Sequence, residues 1–143
     1  MIVRSNINPS VKIWYPDLVN IYDSTIGEGT KIASFVEIGM AKIGKYCKIE
    51  AFSFLPPGTV IEDNVFIGPH VTITNDRCPD AKSKTWKKEP VTVKKGASIG
   101  AGSILIAGVT VGENAIVGAG SIVSRDVPAG AVIYKEKQVN EDK

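Results

Sequence analysis

The chain has 143 residues, room for one hydrophobic core and hardly for two. Its hydrophobic content of 43% and its mean hydropathy close to zero exclude a disordered chain, and no apolar run reaches the roughly 18 residues of a membrane-crossing helix. A net charge of +2 without an aromatic–basic motif argues against a nucleic-acid partner.

The opening Met1-Ile2-Val3-Arg4-Ser5 lacks the layout of a secretory signal, which gives a cytoplasmic expectation. Residues 1–6 are then expected to cap one end of the fold. From Ile7 an aliphatic residue recurs about every six places: Ile13 and Val19, then, after one-residue slips, Ile26, Ile32 and Ile38. The register becomes strict at Ile43, Ile49, Leu55, Ile61, Ile67 and Ile73, and returns as Val93, Ile99, Leu105, Val111, Val117 and Val123. Four places beyond each of these, small or β-branched residues recur, among them Thr30, Val36, Cys47, Ser53, Thr59, Val65, Val71, Ala97, Ser103 and Ala115.

A period of six fits neither an amphipathic helix nor a hairpin. It fits a chain that makes a short strand and a corner every six residues, three to a coil of about eighteen, with the aliphatic side chain pointing inward. Stacked coils then pair as parallel sheets. The expectation is an all-β, parallel β-helix of about six coils in one domain over 1–143, with Gly27, Gly39, Gly44, Gly68, Gly100, Gly112 and Gly118 at corners. One long loop, about 76–90, breaks the phase with Asp76-Arg77-Cys78-Pro79 and a run of Lys82, Lys84, Lys87 and Lys88 around Trp86. Such a break in a rigid solenoid either carries function or is simply disordered; as the sole long break in the repeat, it favours the functional reading. The polar tail 135–143 is expected to cap the far end.

The stretches IGEGTKI, IGKYCKI, VFIGPHVTITND and VKKGASIGAGSILIAGVTVGENAIVGAGSIVSRDVPAGAVI resemble the hexapeptide-repeat acetyltransferases along nearly the whole chain. FIGPHVTITNDRCP, followed by a basic loop, is most similar to the nucleotide-sugar N-acetyltransferases, which acetylate the amine of an aminosugar linked to UDP or dTDP. The resemblance implies a left-handed β-helix, a homotrimer, acetyl-CoA as acyl donor in a groove between subunits, and a nucleotide-sugar substrate near the loop. Two departures stand out. Cys78 falls where sugar O-acetyltransferases of the maltose and galactoside type carry a catalytic histidine, and Ala131-Val132-Ile133-Tyr134 runs into Lys135-Glu136-Lys137 where the family has a proline-containing turn.

Acyl transfer to an amine needs an aimed neutral nucleophile and donors for the developing oxyanion. Asn75 and Asp76, at the loop's mouth, are candidates to hold the amine, and Asn75 matches the Thr-Asn motif of the resemblance; an Asx-turn opening the loop is the alternative. His70, the single histidine, is either a base or a surface or inter-subunit residue. Gly102, Ala107, Gly108 and Ala119 are candidate cofactor-groove residues on the strength of the resemblance, because small corners let a pantetheine arm lie against the backbone. Arg125 is a candidate for its phosphates. Trp86, Lys84 and Lys87 are candidates for the nucleotide, or else a solvated loop with a packed indole. No metal site is expected: Cys47 and Cys78 lack ligand spacing, and one histidine per chain cannot build a three-histidine zinc site. Cys47 is expected in the core. The competing readings are sugar O-acetylation and a non-catalytic structural β-helix.

Overall fold

The computed structural model describes residues 1–134. Its strands, two or three residues each, form three parallel sheets of seven, six and seven strands, the three faces of a triangular column. The first face runs from Ile2–Val3 through Asn20–Tyr22, Glu37–Gly39, Phe54–Leu55, Thr72–Ile73 and Ile104–Leu105 to Ile122–Val123. The second runs from Asn6–Ile7 to Thr110–Val111 and is extended by a parallel bridge between Val111 and Val127. The third runs from Lys12–Ile13 to Val132–Ile133. The chain visits the faces in turn, so the column has seven levels on two of its faces rather than about six. It is consistent with a left-handed β-helix.

Each strand turns one aliphatic side chain inward. On the third face Ile32, Ile49, Ile67, Ile99 and Val117 stack in register, all essentially without solvent exposure. The small residues four places on are inside too, from Thr30 and Val36 to Ala115 and Ser121. Where that position is polar, its hydroxyl is satisfied by backbone. Thr30 Oγ1 donates to the Gly44 carbonyl at 2.8 Å and accepts from the Cys47 amide at 3.1 Å, and Ser53 Oγ donates to the Gly68 carbonyl at 3.0 Å. No buried side-chain nitrogen or oxygen among the described residues lacks a partner. That is what lets a hexad position alternate between valine and serine at little cost. Cys47 lies in this ladder, its Sγ 3.1 Å from the Glu62 carbonyl, and burial pushes its thiol pKa up.

Residues 1–6, expected at the end of the column, enter it as strands: Ile2 pairs with Ile21, and Asn6 with Thr25. The cap expected over 135–143 lies outside the described residues. The corner glycines serve a different purpose from the one expected. None of the seven has a positive φ; that conformation falls to Gly29, Gly58, Gly96, Gly102, Gly108, Gly120 and Gly130, and to non-glycine residues that include Asn64, His70 and Asn114. Six of the seven follow a strand and are needed for close stacking. A Cβ on Gly68 would stand 2.7 Å from the Ala101 amide nitrogen, and one on Gly27 would stand 2.8 Å from the Gly44 carbonyl carbon. Gly39 lies under the ring of Tyr22.

Corners join the first face to the second, the second to the third, and the third back to the first. The long loop leaves after Thr72–Ile73 and returns at Thr92–Val93, replacing one first-to-second corner. Thr72 still pairs with Ile104 and Val60 with Thr92, so the excursion leaves the rungs undisturbed. No helix among the described residues is long and apolar enough to cross a membrane.

Candidate active site

The neck of the loop is held by polar contacts from both of its ends. Asn75 Nδ2 donates to the Pro57 carbonyl of the coil below at 3.0 Å, and the Asn75 carbonyl accepts from the Glu89 amide at 2.8 Å. With the amide nitrogen engaged, Asn75 Oδ1 has no hydrogen-bond partner among the described residues and is half-buried. Asp76 Oδ1 accepts from the Cys78 amide at 3.0 Å, an Asx-turn that bends the chain into the loop. Asp80 repeats the device, accepting from the Lys82 amide at 2.9 Å. Within the excursion lies a cleft of about 310 Å³ lined by Asp76, Arg77, Cys78, Trp86, Lys87 and Glu89, with Trp86 half exposed. Lys84 is on the loop but outside this lining.

Sequence reasoning missed Arg77. Its guanidinium donates to the Ala107 carbonyl at 2.6 Å and stands 3.8 Å from the Glu89 carboxylate, clamping both necks of the loop to the coil above. The signal that was available is the pair of opposite charges just inside the two ends of the break.

The candidate residues separate into two groups. Asn75, Asp76, Ala107, Gly108 and Arg125 share the first-to-second corner, Arg125 being exposed one coil beyond Gly108. The Ala107 amide donates inward to Thr74 Oγ1 at 2.9 Å and the Gly108 amide to the Glu89 carbonyl at 3.0 Å, so neither N–H is available to a ligand. His70, Gly102 and Ala119 lie on the third-to-first corner. The Gly102 amide is likewise engaged, with the Pro69 carbonyl at 2.9 Å. His70 is exposed at φ 57°, its ring stacked on Phe52 at 4.8 Å, and Phe52 is stacked on Phe35 at 4.9 Å. The same corner one and two coils on is bare: a Cβ at Gly102 or Gly120 would meet nothing within 4 Å. The two corners stand at opposite ends of the strand Thr72–Ile73, their separation limited to about 16 Å by a rise of roughly 3.3 Å per residue. One chain therefore does not bring His70 to Asn75. Among the described residues no three His, Cys, Asp or Glu side chains gather as metal ligands.

Comparison with known proteins bears on the repeats that flank the loop. The pattern of the family described as bacterial transferase hexapeptide (six repeats) matches residues 40–75 and 90–125, the two arms that flank the loop. A relative, the bifunctional protein GlmU of Brevibacillus brevis, is 45% identical over 118 residues, covering 82% of this chain and 24% of its own. The GlmU of Caldicellulosiruptor saccharolyticus is 38% identical over 144 residues, covering 99% of this chain and 29% of its own. The chain thus spans about a quarter of the length of these curated relatives. Among solved structures, a point mutant of AntD, an N-acyltransferase from Bacillus cereus in complex with dTDP-4-amino-4,6-dideoxyglucose and coenzyme A, superposes with a TM-score of 0.76 at 25% identity, over 90% of this chain and 77% of that one. A point mutant of perosamine N-acetyltransferase from Caulobacter crescentus, in complex with CoA and GDP-perosamine, gives 0.62 at 26% identity, over 90% and 51%. With its repeats matched over half its length on either side of the single excursion, the chain belongs to the bacterial transferase hexapeptide family.

Proposed function

We propose that this chain is an N-acetyltransferase that moves an acetyl group from acetyl-CoA to the amine of a nucleotide-linked aminosugar. The observation that carries the reading is Asn75: an amide anchored on the Pro57 carbonyl, with its own oxygen free, at the neck of the loop and next in sequence to Asp76 of the cleft lining. That oxygen accepts one N–H of the incoming amine and so aims the lone pair. Asp76, with one oxygen spent on the Cys78 amide, keeps the other for the proton the amine sheds on acylation. An amine, once neutral, needs no stronger base. A sugar hydroxyl does, and Cys78 rather than a histidine stands at the loop; this favours the amine over O-acetylation.

Acetyl-CoA supplies the thioester. The bare third-to-first corner at Gly102, Ala119 and Gly120 fits its pantetheine arm, since a Cβ at Gly102 or Gly120 would meet nothing within 4 Å, and Arg125 is exposed to meet phosphate. The two groups of candidate residues lie on different corners, which supports a homotrimer whose neighbouring copies bring one corner to the other. Trp86 and Lys87, lining the loop cleft, with Lys84 beside it, receive the nucleotide.

The test is release of free CoA thiol from acetyl-CoA with a panel of UDP- and dTDP-linked 3-amino and 4-amino sugars. Turnover with at least one is expected, falling tenfold or more in kcat in folded Asn75→Ala. No release with any aminosugar refutes the reading, and full turnover in Asn75→Ala removes that residue from the mechanism.

A further inference from the structure

On the third face the outward side chains begin as Lys12, Lys31 and Lys48, paired in register, and continue as Phe66, Ser98, Ile116 and Val132. Neighbouring strands stand about 4.8 Å apart, so three like charges sit directly opposite one another, an arrangement that disfavours the pairing. No carboxylate among the described residues comes within 4.0 Å of any of the three amines. Beside them lies a cleft of about 440 Å³, lined by Trp14, Tyr15, Lys31, Ser34, Lys48 and Glu50. Trp14 is 49% exposed and Tyr15 60%, two large rings left in water at one spot. Lys12 Nζ lies 4.6 Å from the Trp14 ring centroid and tethers the indole beside the charged row.

We propose that this cleft binds a nucleoside diphosphate. Each part of such a ligand has its counterpart. The base stacks against Trp14 and Tyr15, and the Glu50 carboxylate and Ser34 hydroxyl accept from sugar hydroxyls. The phosphates lie across Lys31 and Lys48, with Lys12 at the end of the row, and relieve the repulsion there. A bare polyanion fits less well, because Glu50 would repel it and the aromatic wall would have no use. The volume is in the range of small-ligand pockets. The cleft sits on the first three coils, away from the loop, and the inference does not depend on the acyl-transfer reading. Two sources share this chemistry: a free nucleoside diphosphate, and the nucleotide part of a sugar nucleotide.

Calorimetric titration of the full chain with ADP, UDP, UDP-N-acetylglucosamine, pyrophosphate and adenosine tests it, with Trp86→Ala/Lys87→Gln present in the parent and in every variant to remove nucleotide binding at the loop cleft. Saturable binding of at least one nucleoside diphosphate is expected, weakened tenfold or more in Lys31→Gln/Lys48→Gln. That variant should melt no lower than the parent without ligand, since it removes like charges. Trp14→Ala should weaken nucleotide binding threefold or more and leave pyrophosphate unchanged. Loss of UDP-N-acetylglucosamine binding in the double variant identifies a sugar nucleotide as an occupant; its absence from the binders, with UDP or ADP retained, identifies the free diphosphate. The proposal is overturned if no diphosphate binds at millimolar concentration, if the double variant binds as the parent does, or if pyrophosphate binds as tightly as ADP and UDP. Because binding is read without turnover, failure here and failure of acyl transfer are separable.

Discussion

Replacing Gly100 and Gly120 in turn by asparagine tests why the corners are glycine at all. The two positions occupy the same corner in adjacent coils, yet their surroundings differ. A Cβ at Gly100 would stand 2.8 Å from both the Ala119 Cα and the Gly118 carbonyl carbon, backbone that cannot rotate away, so the coils must part. Overpacking of that kind costs about 1–3 kcal/mol, and rigid backbone on the other side puts Gly100→Asn at about 3 kcal/mol or more. Gly120 has φ +72° with open space beyond its Cα. A left-handed residue costs most side chains about 1–2 kcal/mol, but asparagine visits that region readily. Asn64 and Asn114 already occupy it here at φ 57° and 56°. Stiffening the unfolded chain returns about 0.4–1 kcal/mol, leaving Gly120→Asn at about 0–1 kcal/mol. Equilibrium urea unfolding at fixed protein concentration measures both. Costs within about 0.5 kcal/mol of each other would refute the division into stacking glycines and conformational glycines.

Position along the column should grade the core: Ile67→Ala, with Ile49 and Ile99 in register on either side, is expected to cost about 3–4 kcal/mol by the same unfolding measurement. Ile13→Ala, partly buried with one neighbour at Ile32, should cost less than half of that. Thiol titration should find one reactive cysteine, exposed Cys78, in the native protein and two in denaturant. The Cys47 pKa is raised in the folded state, so its contribution to stability is fully present below the unfolded thiol pKa. It declines as pH climbs above about 8.5, and Cys47→Ala should flatten that part of the stability–pH curve. Arg77→Ala should speed tryptic cleavage at Lys82–Lys88 several-fold while leaving the global unfolding midpoint within about 1 kcal/mol, because the clamp holds the loop and not the rungs.

The inward ladder is readable residue by residue: the spacing points Ile43, Ile49, Leu55, Ile61, Ile67 and Ile73 inward and puts Cys47 in the core, and all are buried. A strand of two residues leaves one position to face the core, so every sixth residue must declare itself. The break was equally plain, because it interrupts that rhythm. Coil-to-coil contacts were not legible, since they join residues a whole turn apart in a count that the early slips disturb; Ile2 meets Ile21 while Ile21 meets Ile38. For that reason the reading could not separate Gly100 from Gly102, two places on. It also could not see Phe35, Phe52 and His70 falling into one stack, or the three lysines lining up beside Trp14. Arg77 was missed because its partner, the Ala107 carbonyl, is thirty residues away.

The rungs on either side of the excursion meet as though nothing had been inserted, Val60 on Thr92 and Thr72 on Ile104. A segment spliced into a frame in this way is an exchangeable cassette. Its length and composition are free to vary between its two clamped ends while the scaffold keeps its pitch. Under the proposed acetyl transfer, selectivity for a new acceptor would then be gained by exchanging this surface segment, with no requirement to refold the body that carries it.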